Sequence, residues 1–215
     1  MDISYLGHAS FKIKGKHASV LIDPFDPEMV GFPFPKHTSA DIVCITHEHK
    51  DHNNKSLVEG SPFIISGPGE YEMKGVQIIG IPSFHDSEEG KARGRMTLYH
   101  ITIDEVNIVH LGDLGTLLTK DDIEKLDGVD ILMVPVGGVF TITPEEAAKI
   151  VAELEPAIVI PMHYKTEKHS KTSFGSFLPV SAFLKAIGSE NITPIPKLSV
   201  GKDRLPTEMQ IVVLE

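Results

Sequence analysis

Eleven short runs rich in β-branched and aromatic residues recur along the chain: "ISYL", "SFKIK", "ASVLID", "DIVCIT", "PFIIS", "VQIIGI", "MTLYHITI", "VNIVHLGD", "DILMVPV", "AIVIP" and "MQIVVLE". Several of them are apolar almost throughout rather than at every second position. A strand with one face in water alternates, whereas a continuously apolar strand needs cover on both faces. Such a chain must build sheets that are buried on each side, against another sheet or against helices. A hydrophobic content of 41% supplies the core for this in a chain of 215 residues.

Helices are fewer and well signalled. Thr143-Pro144-Glu145-Glu146 combines a capping threonine, a proline at the first helical position and a glutamate three residues on, opening "AAKIVAEL". Thr119 with Asp122 starts "DDIEKL" in the same way, and "PVSAFLKAI" reads as a helix stopped by Gly188. Strands cluster in the first half and alternate with helices in the second. The fold class is therefore α/β, with sheets packed face to face, helices outside, and one domain over residues 1–215.

Several function classes are set aside by composition. No apolar run approaches the length of a spanning helix, so no membrane association is expected. The start, "MDISYLGHASFKIKGK", lacks a basic stretch followed by an apolar one, so no signal peptide is expected. One cysteine permits no internal disulfide and suits a reducing cytoplasm. A net charge of −10 argues against a broad phosphate-binding surface and hence against nucleic acid as a partner. The eleven histidines, beside one cysteine and no tryptophan, suggest a demand for imidazole beyond packing.

That demand is concentrated in "ITHEHKDHN", residues 45–53, directly after an apolar strand. Just past a strand end, His47 and His49 point the same way, as residues two apart do, and can share one ion. Asp51 and His52 follow after a turn of chain and suit a second ion close by. Further single candidates stand at the ends of other apolar runs: His85 in "IGIPSFHD", Asp113 in "NIVHLGDLG" and His163 in "AIVIPMHY". Sheets commonly hold metal and catalytic residues on such loops, although a lone histidine there is more often a hydrogen-bonded structural residue.

The set His47-x-His49-x-Asp51-His52, His85, Asp113 and His163 resembles, in order and spacing, the seven ligands of the metallo-β-lactamase superfamily. "LGHASF", "LIDPF", "SFHD…GKARGRMTLYHI" and "VPVGG" further resemble the branch containing L-ascorbate-6-phosphate lactonases and uncharacterised metal-dependent hydrolases. The resemblance implies an αββα four-layer sandwich with a dinuclear site at one sheet edge. His47, His49 and His85 would hold the first ion, Asp51, His52 and His163 the second, and Asp113 would bridge them. Five imidazoles and two carboxylates without a thiolate suit Zn²⁺, with Mn²⁺ or Fe as alternatives. Two such divalent ions lower the pKa of a shared water and polarise a substrate oxygen, so the implied reaction is hydrolysis of a small ester or lactone by metal-bound hydroxide. A phosphodiesterase or nuclease with the same site, and a non-enzymatic metal-stabilised scaffold, are the alternatives.

Around this set, Asp51 is a candidate for orienting the hydroxide or shuttling its proton. Asp23, in "LIDPF", is a candidate for supporting the histidine loop through hydrogen bonds, or is a turn residue before Pro24. His8 either donates to substrate or leaving group or is structural. His110 reads as a core or supporting residue, and His17, His37, His100 and His169 as surface or packing residues. Arg93 and Arg95 in "KARGR" and Lys165 in "YKTEKHSK", with Lys168 and Lys171, would favour a small anionic substrate if they are more than solvated loops.

Overall fold

The structure is a computed structural model and describes residues 1–215. Its strands are β1 (Asp2–Gly7), β2 (Ser10–Lys14), β3 (Ser19–Ile22), β4 (Ile42–Cys44), β5 (Phe63–Ile65), β6 (Gly69–Met73) and β7 (Val76–Phe84). They continue with β8 (Arg95–Ile103), β9 (Val106–His110), β10 (Ile131–Pro135), β11 (Ile158–Met162), β12 (Leu198–Ser199) and β13 (Gln210–Ile211). The helices are α1 (Pro27–Val30), α2 (Lys120–Lys125), α3 (Pro144–Leu154), α4 (Lys171–Phe174) and α5 (Val180–Ala186).

One sheet runs β12-β1-β2-β3-β4-β5 and the other β13-β11-β10-β9-β8-β7-β6. Both are mixed. The first is antiparallel up to β3 and parallel across β3, β4 and β5. The second is parallel from β13 to β9 and antiparallel from β9 to β6.

The continuously apolar runs are explained by cover on two sides. On β10 and β11, Ile131, Met133, Ile158, Ile160 and Met162 face the inter-sheet core, which they share with Val20, Ile22, Ile42 and Cys44 of the other sheet. Their neighbours Leu132, Val134 and Val159 point outward, onto Ala147, Ile150 and Val151 of α3 and Phe183 and Leu184 of α5. Full burial of each such side chain is worth about 2 kcal/mol relative to exposure, so register in these strands is strongly fixed. Helix α3 begins as its sequence requires: the Thr143 side chain accepts from the Glu146 N–H, the Glu146 carboxylate accepts from the Thr143 N–H, and Pro144 fills the first position.

Two mixed sheets face to face, with helices outside, are the sandwich expected from the sequence, and its outer layers are unequal. The second sheet carries α2, α3 and α5. The outward residues Leu21, Val43 and Ile45 of the first sheet are instead covered by Val58, Phe34 and Ala40, which lie on loop and turn segments.

Strand direction positions the site. β1, β3 and β4 run one way in their sheet, and β7, β9, β10 and β11 run together in theirs. Backbone bonds from His163 N–H to the His8 carbonyl (2.8 Å) and from Thr97 N–H to the Thr46 carbonyl (2.9 Å) join the sheets where these strands end.

Candidate metal centre

Six segments converge at that edge. His8 follows β1, Asp23 follows β3 and residues 45–52 follow β4, all from the first sheet; His85 follows β7, Asp113 lies just beyond β9 and His163 follows β11, all from the second. His8, Asp23 and His163 take left-handed backbone, with φ of +59°, +48° and +53°. Non-glycine residues seldom adopt it, and they persist there when the surroundings over-determine them. At Gly137 a close approach excludes any side chain, because a Cβ would collide with the His163 carbonyl oxygen.

Asp113 is at the centre. Its Oδ2 lies 3.2 Å from Nε2 of His52, 3.2 Å from Nε2 of His163, 3.4 Å from Nε2 of His85 and 4.0 Å from Nε2 of His47. His49 Nδ1 approaches His47 Nε2 at 3.0 Å. Candidate ligand atoms fall into three groups: His47, His49 and His85; His8, Asp51, His52 and His163; and His47, His52 and Asp113. The last draws one imidazole from each of the other two groups. Within this cluster, His52 Nε2, His85 Nδ1, both ring nitrogens of His163 and Asp113 Oδ1 are buried and without hydrogen-bond partners. Buried polar atoms are nearly always satisfied, and the orphaned Nε2 atoms of His52 and His163, each 3.2 Å from Asp113 Oδ2, fit a cation there.

Asp23 holds the histidine loop from behind. Fully buried, it accepts from the Thr46 N–H (2.8 Å) and hydroxyl (2.7 Å), and from His52 Nδ1–H at 2.9 Å. The bond to Nδ1 turns His52 Nε2 toward Asp113. His110 is a core residue: its Nε2 donates to the Ala9 carbonyl at 2.9 Å, and its Nδ1 accepts from the Gly112 N–H at 3.1 Å.

The electrostatics fit the same conclusion. Burial, with neighbouring imidazoles adding to it, holds His8 neutral down to about 3 and His47 down to about 2. Burial lowers His85 in the same direction. His52 goes the other way: burial opposes its charge, but Asp113, Asp51 and Asp23 outweigh it and raise its pKa well above the ordinary value. Burial likewise opposes ionisation of Asp113, and His163 and His52 overcome it. Buried carboxylates are thus held anionic beside His8, His47 and His85 held neutral, while His52 is drawn toward its charged form, so positive charge is favoured between the carboxylates.

Burial also lowers His169, to about 4. In the unfolded chain His8, His47 and His169 titrate near 6.5. As pH falls from 6.5 to 4, the unfolded chain takes up protons that the native fold refuses, so stability declines; above 6.5 neither state holds them and these three groups contribute no further dependence. The unfolding free energy of metal-free protein is expected to drop across this window, by up to roughly 1.4 kcal/mol per pH unit per imidazole, and the urea midpoint with it. A midpoint that is flat or rises on acidification would contradict it.

His169, read from sequence as a packing residue, belongs to the site's support. The Thr166 backbone N–H donates to His169 Nδ1 at 3.2 Å. A backbone amide can only donate, so His169 carries its proton on Nε2 and donates to His8 Nδ1 at 3.2 Å. His8 must then carry its own proton on Nε2 and donate to Asp51 Oδ2 at 3.2 Å. Of the two readings of His8, donor to substrate or structural residue, the geometry fits the second: it is fully buried, both ring nitrogens are engaged, and its ring is packed 4.8 Å from that of Phe174. Nothing in the spacing of the sequence marks His169, since its partner stands 161 positions away.

A cavity of about 410 Å³ opens onto the centre, lined by His49, Asp51, His85, Asp113 and His163, with Arg93 and Phe140 at its wall. Its size suits a small molecule. Of the cations expected to meet substrate, Arg93 alone lines it. Arg95 is exposed at the start of β8, opposite Phe84, and is not part of the lining. Lys165 lines a neighbouring cavity, where its Nζ donates to the Gly175 carbonyl at 2.6 Å. Sequence proximity to a ligand thus misplaces both.

A doubly mixed sandwich with a histidine- and aspartate-rich edge is the architecture of metal-dependent hydrolases of the metallo-β-lactamase type. The Beta-lactamase superfamily domain profile matches residues 2–163. A UPF0173 metal-dependent hydrolase from Thermococcus onnurineus is 36% identical, the match covering 77% of this chain and 85% of that one. One from Pyrococcus horikoshii is 31% identical with the same coverage. The crystal structure of a proposed Zn-dependent hydrolase of the metallo-β-lactamase superfamily from Thermotoga maritima superimposes with a TM-score of 0.81 at 33% identity, over 100% of this chain and 98% of that one. The chain belongs to the metallo-β-lactamase superfamily, in the UPF0173 family of metal-dependent hydrolases.

Proposed function

We propose that this protein is a dinuclear hydrolase of a small ester or lactone. His47, His49 and His85 would hold one ion, Asp51, His52 and His163 the other, and Asp113 would serve both. The observation that carries the reading is the position of Asp113 Oδ2, 3.2–3.4 Å from three imidazole nitrogens of which two have no hydrogen-bond partner. Divalent ions bound there would supply Lewis acidity to a substrate oxygen and lower the pKa of water towards neutrality. Imidazole and carboxylate donors without thiolate favour Zn²⁺, with Mn²⁺ or Fe as alternatives. The one cysteine, Cys44, is free and packed in the inter-sheet core, as suits a cytoplasmic enzyme.

The chain's own residues have separable tasks. Asp23 aims His52 and braces Thr46. Asp51 lines the cavity with its carboxylate fixed by the His8 bond to Oδ2, which places it to orient the attacking water. Phe177, buried and 4.7 Å from the His163 ring, keeps water from the back of the centre, while Phe174 lines the cavity.

Protein stripped of metal and reconstituted separately with Zn²⁺ and Mn²⁺ tests this reading. About two equivalents per chain should be retained, and His49→Ala should lose most of the bound metal. A panel of lactones, carboxylic esters, thioesters and phosphodiesters should reveal turnover of a lactone or ester with at least one metal. One equivalent or less at saturation, or no turnover of any lactone or ester, would refute it.

A further inference from the structure

Arg93 is held at the cavity wall by two devices that share no residue. The first is the loop between His85 and β8. Asp86 Oδ1 accepts the N–H groups of Glu88 (2.8 Å) and Gly90 (2.9 Å), and its Oδ2 accepts those of Ala92 (3.1 Å) and Arg93 itself (2.7 Å). One carboxylate thus closes four backbone donors and fixes where Arg93 leaves the loop. The second is Phe140, whose ring centroid lies 4.0 Å beneath the guanidinium carbon. Phe140 is itself presented by a tight turn in which its N–H donates to the Gly138 carbonyl at 2.7 Å. That turn forces Val139 to a φ of +63°. Left-handed backbone at a β-branched residue is costly and is retained where surrounding structure requires it. Behind Phe140 stands Phe177 at 5.6 Å, and Phe177 faces His163. The guanidinium is therefore braced against the wall of the candidate centre.

No carboxylate pairs with this guanidinium, although the chain carries thirty acidic residues. A guanidinium lying over a ring keeps its in-plane N–H donors at the edge, where they match two oxygens of a carboxylate or phosphate. We infer that Arg93 is the recognition group for an anionic substituent, a carboxylate or phosphate, on the substrate of this site, and that Asp86 and Phe140 are its positioning residues. The inference rests on the proposed hydrolase reading for its chemistry and on the cavity alone for its binding.

Two measurements on metal-loaded protein separate these dependencies. With 4-nitrophenyl acetate and 4-nitrophenyl hemisuccinate, Arg93→Ala should raise KM for the hemisuccinate about tenfold with kcat within about threefold, so that kcat/KM for the hemisuccinate falls several-fold more than for the acetate. Arg93→Lys should recover only part of the loss, because an ammonium neither forks nor stacks. Equal losses on both esters, or none on either, would overturn the inference. In parallel, titration with inorganic phosphate should show binding that Arg93→Ala weakens about tenfold at unchanged metal content. Absent or unaltered phosphate binding would also overturn it. If neither ester turns over, the ester reading has failed in its own right, and the phosphate titration still decides the role of Arg93.

Discussion

Asp113→Ala is expected to reduce kcat/KM of metal-loaded protein by about a thousandfold or more, on whatever substrate is found. Asp113 is the one carboxylate within reach of imidazoles from both ligand groups, with Oδ2 at 3.2 Å from His52 and His163 and at 3.4 Å from His85. Removing it eliminates the anion that faces those nitrogens and leaves His47, His52, His85 and His163 to repel one another's bound charge. Metal content should fall together with rate, and a near-wild-type rate in this variant would rule out a mechanism that uses both groups. Folding is a smaller concern, because the strand end at His110 is fixed independently by its bonds to Ala9 and Gly112.

Asp23→Ala should act through the scaffold. It leaves the Thr46 N–H, the Thr46 hydroxyl and His52 Nδ1–H without their acceptor inside a fully buried region. Each orphan costs about 1–3 kcal/mol, so a loss of about 3 kcal/mol or more in unfolding free energy is expected, together with about a 10- to 100-fold fall in metal affinity. Asp23→Asn separates the two effects. Asparagine tolerates the left-handed backbone at φ +48° and retains one acceptor oxygen, so part of the stability should return. Its amide presents a donor on the other side, where the native carboxylate accepts, so the aim of His52 and the metal affinity should recover less. Equal recovery of stability and affinity would show that Asp23 shapes the backbone alone.

How far the sequence discloses this arrangement depends on the range of each interaction. Strands with continuous apolar character and helices with capping residues are local facts, and β10, β11 and α3 are legible for that reason. β6 is not, because Gly69–Met73 is a largely exposed edge strand with glutamates at two of its five positions. The four-residue helices α1 and α4 are too short to show a period. Within the site, the 47–52 cluster announces itself by density, and His85, Asp113 and His163 by standing just past apolar runs. His169 and Asp86 give no such signal. The one is defined by a partner across the whole chain, and the other by backbone donors that exist only once its loop has closed. Arg95 and Lys165 show the converse, since nearness in sequence to a ligand says nothing about where a long side chain finds a partner.

The even division of the edge residues between the two sheets has a thermodynamic consequence. His8, Asp23 and the 45–52 loop hang from one sheet, while His85, Asp113 and His163 hang from the other. Neither half offers a complete donor set by itself, so an ion gripped by both acts as a rivet whose hold vanishes when the halves part. Capture of the ion and closure of the sandwich are then a single linked equilibrium, in which each strengthens the other by the same free energy.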